Sequence, residues 1–136
     1  MTPISYTDGS CIKTNNTDKV GKGSWGWVLI NEIEDIVFES NGEVYNDTTN
    51  NRMELQAVLE LLDFCKDYTK KIIIRSDSMY VINCAQNIWK RSKNIDLWKI
   101  YDTKSKNIDI VFEKVKAHSG NYWNDYVDNL AKKSVM

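Results

Sequence analysis

The sequence predicts an α/β domain built on a mixed β-sheet with helices on both faces. Three observations predict it. The first third of the chain alternates apolar and polar residues with a period of two. From residue 53 the apolar positions switch to helical spacing. Short β-branched runs then alternate with helical stretches, the pattern of strand–helix–strand units.

Residues 3–11 form the first strand, with Ile4 and Tyr6 on one face and Gly9 and Ser10 closing the run. Residues 14–23 are polar and contain Gly21 and Gly23, which predicts a loop. Residues 24–31 (SWGWVLIN) and 36–45 (IVFESNGEVY) read as two more strands, joined by a tight polar turn near 32–35. Three strands with short connections make an antiparallel meander. Met53, Ala57, Val58, Leu61, Leu62 and Cys65 then mark a helix over 51–68, and the preceding TTNN run supplies its capping side chains. The KIIIRS run at 71–76 is the pattern of a buried strand.

A helix follows over 77–89, with Tyr80, Val81, Cys84 and Ile88 on one face. Residues 95–104 make a shorter helix carrying Leu97, Trp98 and Tyr101. Residues 108–116 alternate as a strand through Ile108, Ile110 and Phe112. The last helix, about 122–134, buries Trp123, Val127, Leu130 and Ala131. Of the remaining tryptophans, Trp25, Trp27 and Trp98 also read as core. The order is β-β-β-α-β-α-α-β-α: five strands, three antiparallel and the rest parallel through right-handed crossovers. In such sheets ligands sit outside the carboxyl ends of the strands.

Composition narrows the function classes. The 136 residues are 42% hydrophobic and 27% charged, with one Pro and six Gly, which excludes a disordered or fibrous chain. There is no repeat, linker or low-complexity tract, so one domain is expected over 1–136. No apolar run reaches 18 residues, and the start MTPISYTDGS has no signal-like segment, so a cytoplasmic protein off the membrane is expected. Eighteen Lys and Arg against nineteen Asp and Glu exclude a strongly basic chain overall. Three scattered cysteines and a single histidine, His118, exclude a structural zinc cluster. Any bound metal must be held by oxygen, as Mg²⁺ or Mn²⁺ are.

Position selects among the nineteen acids. Asp8 lies within the first strand, Glu54 in the first turn of the first long helix, Asp77 just past the end of IIIRS, and Asp128 beside the apolar stripe of the last helix. All four reach one end of the predicted sheet. Singly, each has an ordinary explanation as a turn, cap or solvated residue. Together, such clustered carboxylates repel unless cations neutralise them, which points to divalent metal.

The words around these acids, YTDGSC at 6–11, TTNNRMEL at 48–55, RSDSMYV at 75–81, KNIDLW at 93–98 and VKAHSGNYWNDYVDNLA at 115–131, occur in the order found in type 1 ribonuclease H. The chain resembles that family over essentially its whole length. The resemblance implies the ribonuclease H-like fold and cleavage of the RNA strand of RNA–DNA hybrids, leaving 5′-phosphate and 3′-hydroxyl ends. It implies that Asp8, Glu54, Asp77 and Asp128 bind two Mg²⁺ about 4 Å apart, with Mn²⁺ as the alternative ion. In that scheme Asp8 bridges both ions, Asp128 serves the water-side ion, and Glu54 with Asp77 serves the leaving-group side. His118, in the AHSGN segment, would assist proton transfer or product release. The backbone around Gly9, Ser10 and Cys11, with Asn51 and Glu54, would read the 2′-hydroxyl. Thr49 and Asn50 would lie near a DNA-strand phosphate. Trp89 would pack on a deoxyribose, or else in the core. A monomer is expected.

The chain departs from the family at one segment. Many members carry a long basic protrusion before the KN-DLW word, whereas here only Trp89, Lys90, Arg91 and Ser92 precede Lys93. Residues 88–106 still hold six Lys or Arg against two Asp, a weak phosphate-binding patch. Weaker and more salt-sensitive hybrid binding is expected. Asp47 and Met79 also depart from common family residues, which bears on affinity and not on chemistry. Three alternatives share the fold: a non-catalytic hybrid-binding module, the detached nuclease domain of a reverse transcriptase, and another nuclease of the same superfold with an integrase-like or exonuclease activity, against which the TTNNRMEL and AHSG words weigh.

Overall fold

A computed structural model of the chain describes residues 2–13, 21–116 and 120–136. The elements run β1 (Ile4–Lys13), β2 (Gly21–Ile30), β3 (Ile36–Asn41), β4 (Tyr45–Thr48), α1 (Asn50–Cys65), β5 (Lys71–Ser76), α2 (Met79–Ala85), α3 (Ile95–Lys104), β6 (Asp109–Lys114) and α4 (Tyr122–Lys132). The sheet order is β3-β2-β1-β5-β6, with β4 pairing with the start of β2. β1 to β3 form the expected antiparallel meander, and β1, β5 and β6 are parallel. Among the described residues no helix is long and apolar enough to cross a membrane.

The period-two pattern of β2 sorts its side chains between two cores. Trp25, Trp27 and Leu29 pack with the apolar stripe of α1 and with Val81, Leu97 and Trp98. Val28 and Ile30, with Tyr6 of β1, pack against Trp123 and Val127 of α4. Helices therefore cover both faces, as expected. Trp25, Trp27, Trp98 and Trp123 are all buried, as are the six positions that marked the first helix.

Three expectations need correction. The sheet has six strands, not five. The third predicted strand breaks after Asn41, where the Gly42 N–H turns back to the Trp25 carbonyl (3.0 Å) and Ser24 Oγ holds the Glu43 carbonyl (2.8 Å). The chain then re-enters as β4, paired Tyr45 to Gly23 and Thr48 to Gly21. Consequently Gly21–Gly23 belong to a strand and not to a loop. The second long helix stops at Ala85, not residue 89. Asn87 adopts the left-handed conformation (φ 59°), its N–H bonds the Cys84 carbonyl, and the Ile88 N–H bonds the Asn83 carbonyl. This is a Schellman stop. It turns Ile88 outward, 65% exposed, instead of onto the buried face.

Candidate active site

The parallel register of β1 and β5 builds the centre of the site. Tyr6 pairs with Arg75, so two residues further on Asp8 comes level with Asp77, just beyond the end of β5. Asp8 is buried within the sheet, and the Gly9 N–H donates to its Oδ1 (3.0 Å). Glu54, the fifth residue of α1, is buried beside it. Gly9 is what lets the helix come so near: a Cβ there would lie 2.2 Å from the Glu54 backbone nitrogen. Thr49 starts the helix at this place, its Oγ1 accepting the Arg52 N–H (3.2 Å).

Asp8, Glu54 and Asp77 each present a carboxylate oxygen, all within 4.8 Å of one another. Asp128 opens on the same ≈ 540 Å³ cleft but is engaged differently: its Oδ2 accepts from Lys132 Nζ at 2.8 Å, one turn along α4. Asn124, one turn before Asp128, is buried and donates its Nδ2 to Asp77 Oδ2 (3.3 Å). Helix α4 thus presents Asn124, Asp128 and Lys132 in one stripe. Asn124 and Lys132 contact the acids and line the cleft, and the sequence reading missed both. The signal for them is their i, i+4 and i+8 spacing about Asp128.

Electrostatics in the cleft favour a cation. Burial, then the Glu54 charge, pushes the Asp8 carboxyl far above the usual carboxylate range. Burial also pushes Glu54 up. Two adjacent buried carboxyls cannot both ionise without compensation. Glu54 Oε2 is buried with no hydrogen-bond partner among the described residues. An orphaned carboxylate oxygen within a set of hard oxygen donors fits Mg²⁺ or Mn²⁺ and would suit no soft metal. On the rim, Asp128 holds the Lys132 ammonium above its usual range.

The other predicted site residues divide. Ser10, Cys11, Asn50 and Asn51 line the cleft with the acids. Cys11 Sγ donates to the Thr48 carbonyl (3.5 Å), which ties β1 to β4. Thr49 serves as the helix cap, and Gly9 packs under α1. Trp89 is 46% exposed, so core packing, the other reading of this residue, is ruled out. His118 lies outside the described residues. The basic segment is thinner than its count suggests, because Arg91 pairs with Asp102 and Lys104 with Asp63. Lys90, Lys93, Lys99 and Lys106 are exposed.

Comparison with known proteins agrees with this geometry. The RNase H family model matches residues 2–136. A Ribonuclease H of Syntrophomonas wolfei is 38% identical, covering 97% of this chain and 94% of its own length. One of Chlorobium phaeobacteroides is 34% identical with the same coverage. Among solved structures, RNase H1 of Halobacterium salinarum superposes with a TM-score of 0.78 at 23% identity, over 99% of this chain and 98% of that one. LC11-RNase H1, solved in complex with an RNA/DNA hybrid, gives 0.77 at 18% identity, over 99% and 100%. The fold, the carboxylate centre and these relatives agree, and the chain belongs to the ribonuclease H family of enzymes.

Proposed function

We propose that this protein is an endonuclease that hydrolyses the RNA strand of RNA–DNA hybrids, leaving 5′-phosphate and 3′-hydroxyl ends. The observation that carries the reading is the convergence of Asp8, Glu54 and Asp77 within 4.8 Å, with Asp128 on the same cleft. These four would hold two Mg²⁺ (or Mn²⁺), which supply an activated water and charge stabilisation at the scissile phosphate. Asp8 would serve both ions, Asp128 the water side, and Glu54 with Asp77 the leaving-group side. Asn124 orients the Asp77 carboxylate, and Lys132 neutralises Asp128 when no other cation does so. His118 is assigned to proton transfer or product release on its AHSGN segment alone.

Selection of RNA falls to the backbone at Gly9, Ser10 and Cys11, with Asn51 and Glu54; of these Ser10, Cys11, Asn51 and Glu54 line the cleft where a 2′-hydroxyl would be read. Thr49 and Asn50 approach the DNA-strand phosphate, and the exposed Trp89 indole packs on a deoxyribose. The hybrid is bound by a single domain spanning 1–136, acting as a cytoplasmic monomer.

The test is cleavage of a labelled hybrid with Mg²⁺ by the wild type and by Asp77→Asn, with duplex DNA and duplex RNA as controls. Hybrid-only cutting that is lost in the variant supports the reading. Binding without cutting in either Mg²⁺ or Mn²⁺ overturns it and leaves a hybrid-binding module.

A further inference from the structure

We propose that Arg52 is a positioning residue that locks the connection between α2 and α3 to the first turn of α1, so that a hybrid meets one preassembled surface. The proposal rests on the hybrid-binding reading above. Arg52 follows Asn51 directly, and its guanidinium leaves the cleft to fork onto Asp96 at the start of α3 (3.0 and 2.8 Å). Its Nη1 also donates to Asn94 Oδ1 (3.1 Å). A planar guanidinium makes such a fork, and an ammonium does not.

Asn94 is committed to the same junction. It stands in the N-cap position of α3 in the left-handed conformation (φ 58°), yet its side chain makes no cap bond. Its amide is used at both ends instead: Oδ1 accepts from Arg52, and Nδ2 donates to Tyr80 Oη (2.9 Å). Tyr80 Oη also accepts from Trp98 Nε1 (3.0 Å). Arg91 lies 4.5 Å from the Trp98 ring centroid, donates to the Cys84 carbonyl (2.9 Å) and pairs with Asp102. The connection over residues 86–94 is therefore pinned at Arg91 and at Asn94. Exposed Trp89, Lys90 and Lys93 lie between or beside the two pins.

This placement has a functional signature distinct from stability. Asp96 is mostly exposed, and an exposed fork adds little to folding. Glu54 is fixed separately, by the packing of α1 onto Gly9. Loosening the junction should therefore weaken substrate capture and spare the chemical step.

The test measures KM and kcat for hybrid cleavage, hybrid affinity by anisotropy in EDTA, and thermal melting. The variants are Arg52→Met, Arg52→Lys, Asp96→Asn and the Arg52→Met/Asp96→Asn double variant. We expect each single variant to raise KM about five- to tenfold with kcat within about twofold, and the double to be no worse than either single. Should Arg52→Met fail to fold, Asp96→Asn carries the test, because it changes one atom on an exposed side chain. A direct phosphate contact by Arg52 predicts the opposite for Asp96→Asn: the freed guanidinium would keep or lower KM, and that result overturns the proposal. So does an unchanged KM in Arg52→Met. A wild type that neither binds nor cuts hybrid removes the underlying reading, whereas a cutting wild type with unaffected variants removes this proposal alone.

Discussion

Lys132 Nζ lies 2.8 Å from Asp128 Oδ2, so one of the four carboxylates at the cleft carries its own counter-charge on the next helical turn. The other three, Asp8, Glu54 and Asp77, converge on each other within 4.8 Å. Lys132→Met should lower the stability of the metal-free protein slightly, by about 0.3–0.5 kcal/mol for a helical pair of this exposure. It should also steepen the rise in melting temperature with added Mg²⁺, because Asp128 then has no competing cation. Thermal melts across a Mg²⁺ titration check both; an identical titration in the variant would show that Lys132 and metal do not compete.

Burial raises the Asp8 and Glu54 carboxyls in the folded chain. The folded state therefore keeps protons that the unfolded state has already released. The stability that these two groups contribute to the metal-free protein is fully present below the ordinary carboxylate range and is lost as pH rises toward the folded values. Mg²⁺ should reverse this trend, stabilising more at pH 8 than at pH 5; at a concentration one hundred times Kd the total stabilisation is about 2.7 kcal/mol. Asp8→Asn should flatten the pH dependence, raise metal-free stability above the ordinary carboxylate range, and abolish cleavage. Melting curves at both pH values, with and without metal, decide it.

Gly9→Ala tests the packing that sets Glu54. The added methyl would fall 2.2 Å from the Glu54 nitrogen and 2.3 Å from the Met53 carbonyl carbon, both backbone atoms that cannot step aside. Overpacking of this kind costs about 1–3 kcal/mol. Because relief requires α1 to move off β1, activity should fall with stability, even well below the melting temperature. Retained kcat in a destabilised variant would separate the two.

Trp89→Ala should leave the melting temperature within about 2 °C, since the residue is nearly half exposed and the change removes little core. Hybrid affinity should fall by about 1–3 kcal/mol, the range for losing an aromatic platform under a nucleotide. Fluorescence anisotropy with a labelled hybrid measures it.

Much of the fold and of the carboxylate centre is legible in the amino-acid sequence. The four acids stand out because Asp8 interrupts a strand just ahead of Gly9-Ser10, Glu54 and Asp77 sit where elements begin or end, and Asp128 borders the core; the alternation of β2 and the stripe of α1 are strong periodic signals. Other features are hidden for physical reasons. The YNDT segment of β4 is polar because it pairs along an edge and buries only Thr48, so no apolar pattern marks it. The end of α2 depends on Asn87 taking a left-handed conformation, which Asn tolerates but does not announce. Trp89 is ambiguous in the sequence for the same reason: helical spacing continues through a point where the helix has already stopped. Asn124 escapes notice because an amide beside an acid looks ordinary until the helix is wound and the amide faces Asp77.

A single residue, Thr49, separates the end of β4 from the start of α1. That spacing sets a phase. One residue added or removed there would rotate every later position of the helix by about 100°, carrying Glu54 away from Asp8 and bringing a neighbour to the acids in its place. The turn over residues 31–35, at the far end of β2, has no such role and can change length without disturbing any of the four cleft carboxylates. Length variation among relatives should therefore be abundant at that turn and nearly absent at Thr49.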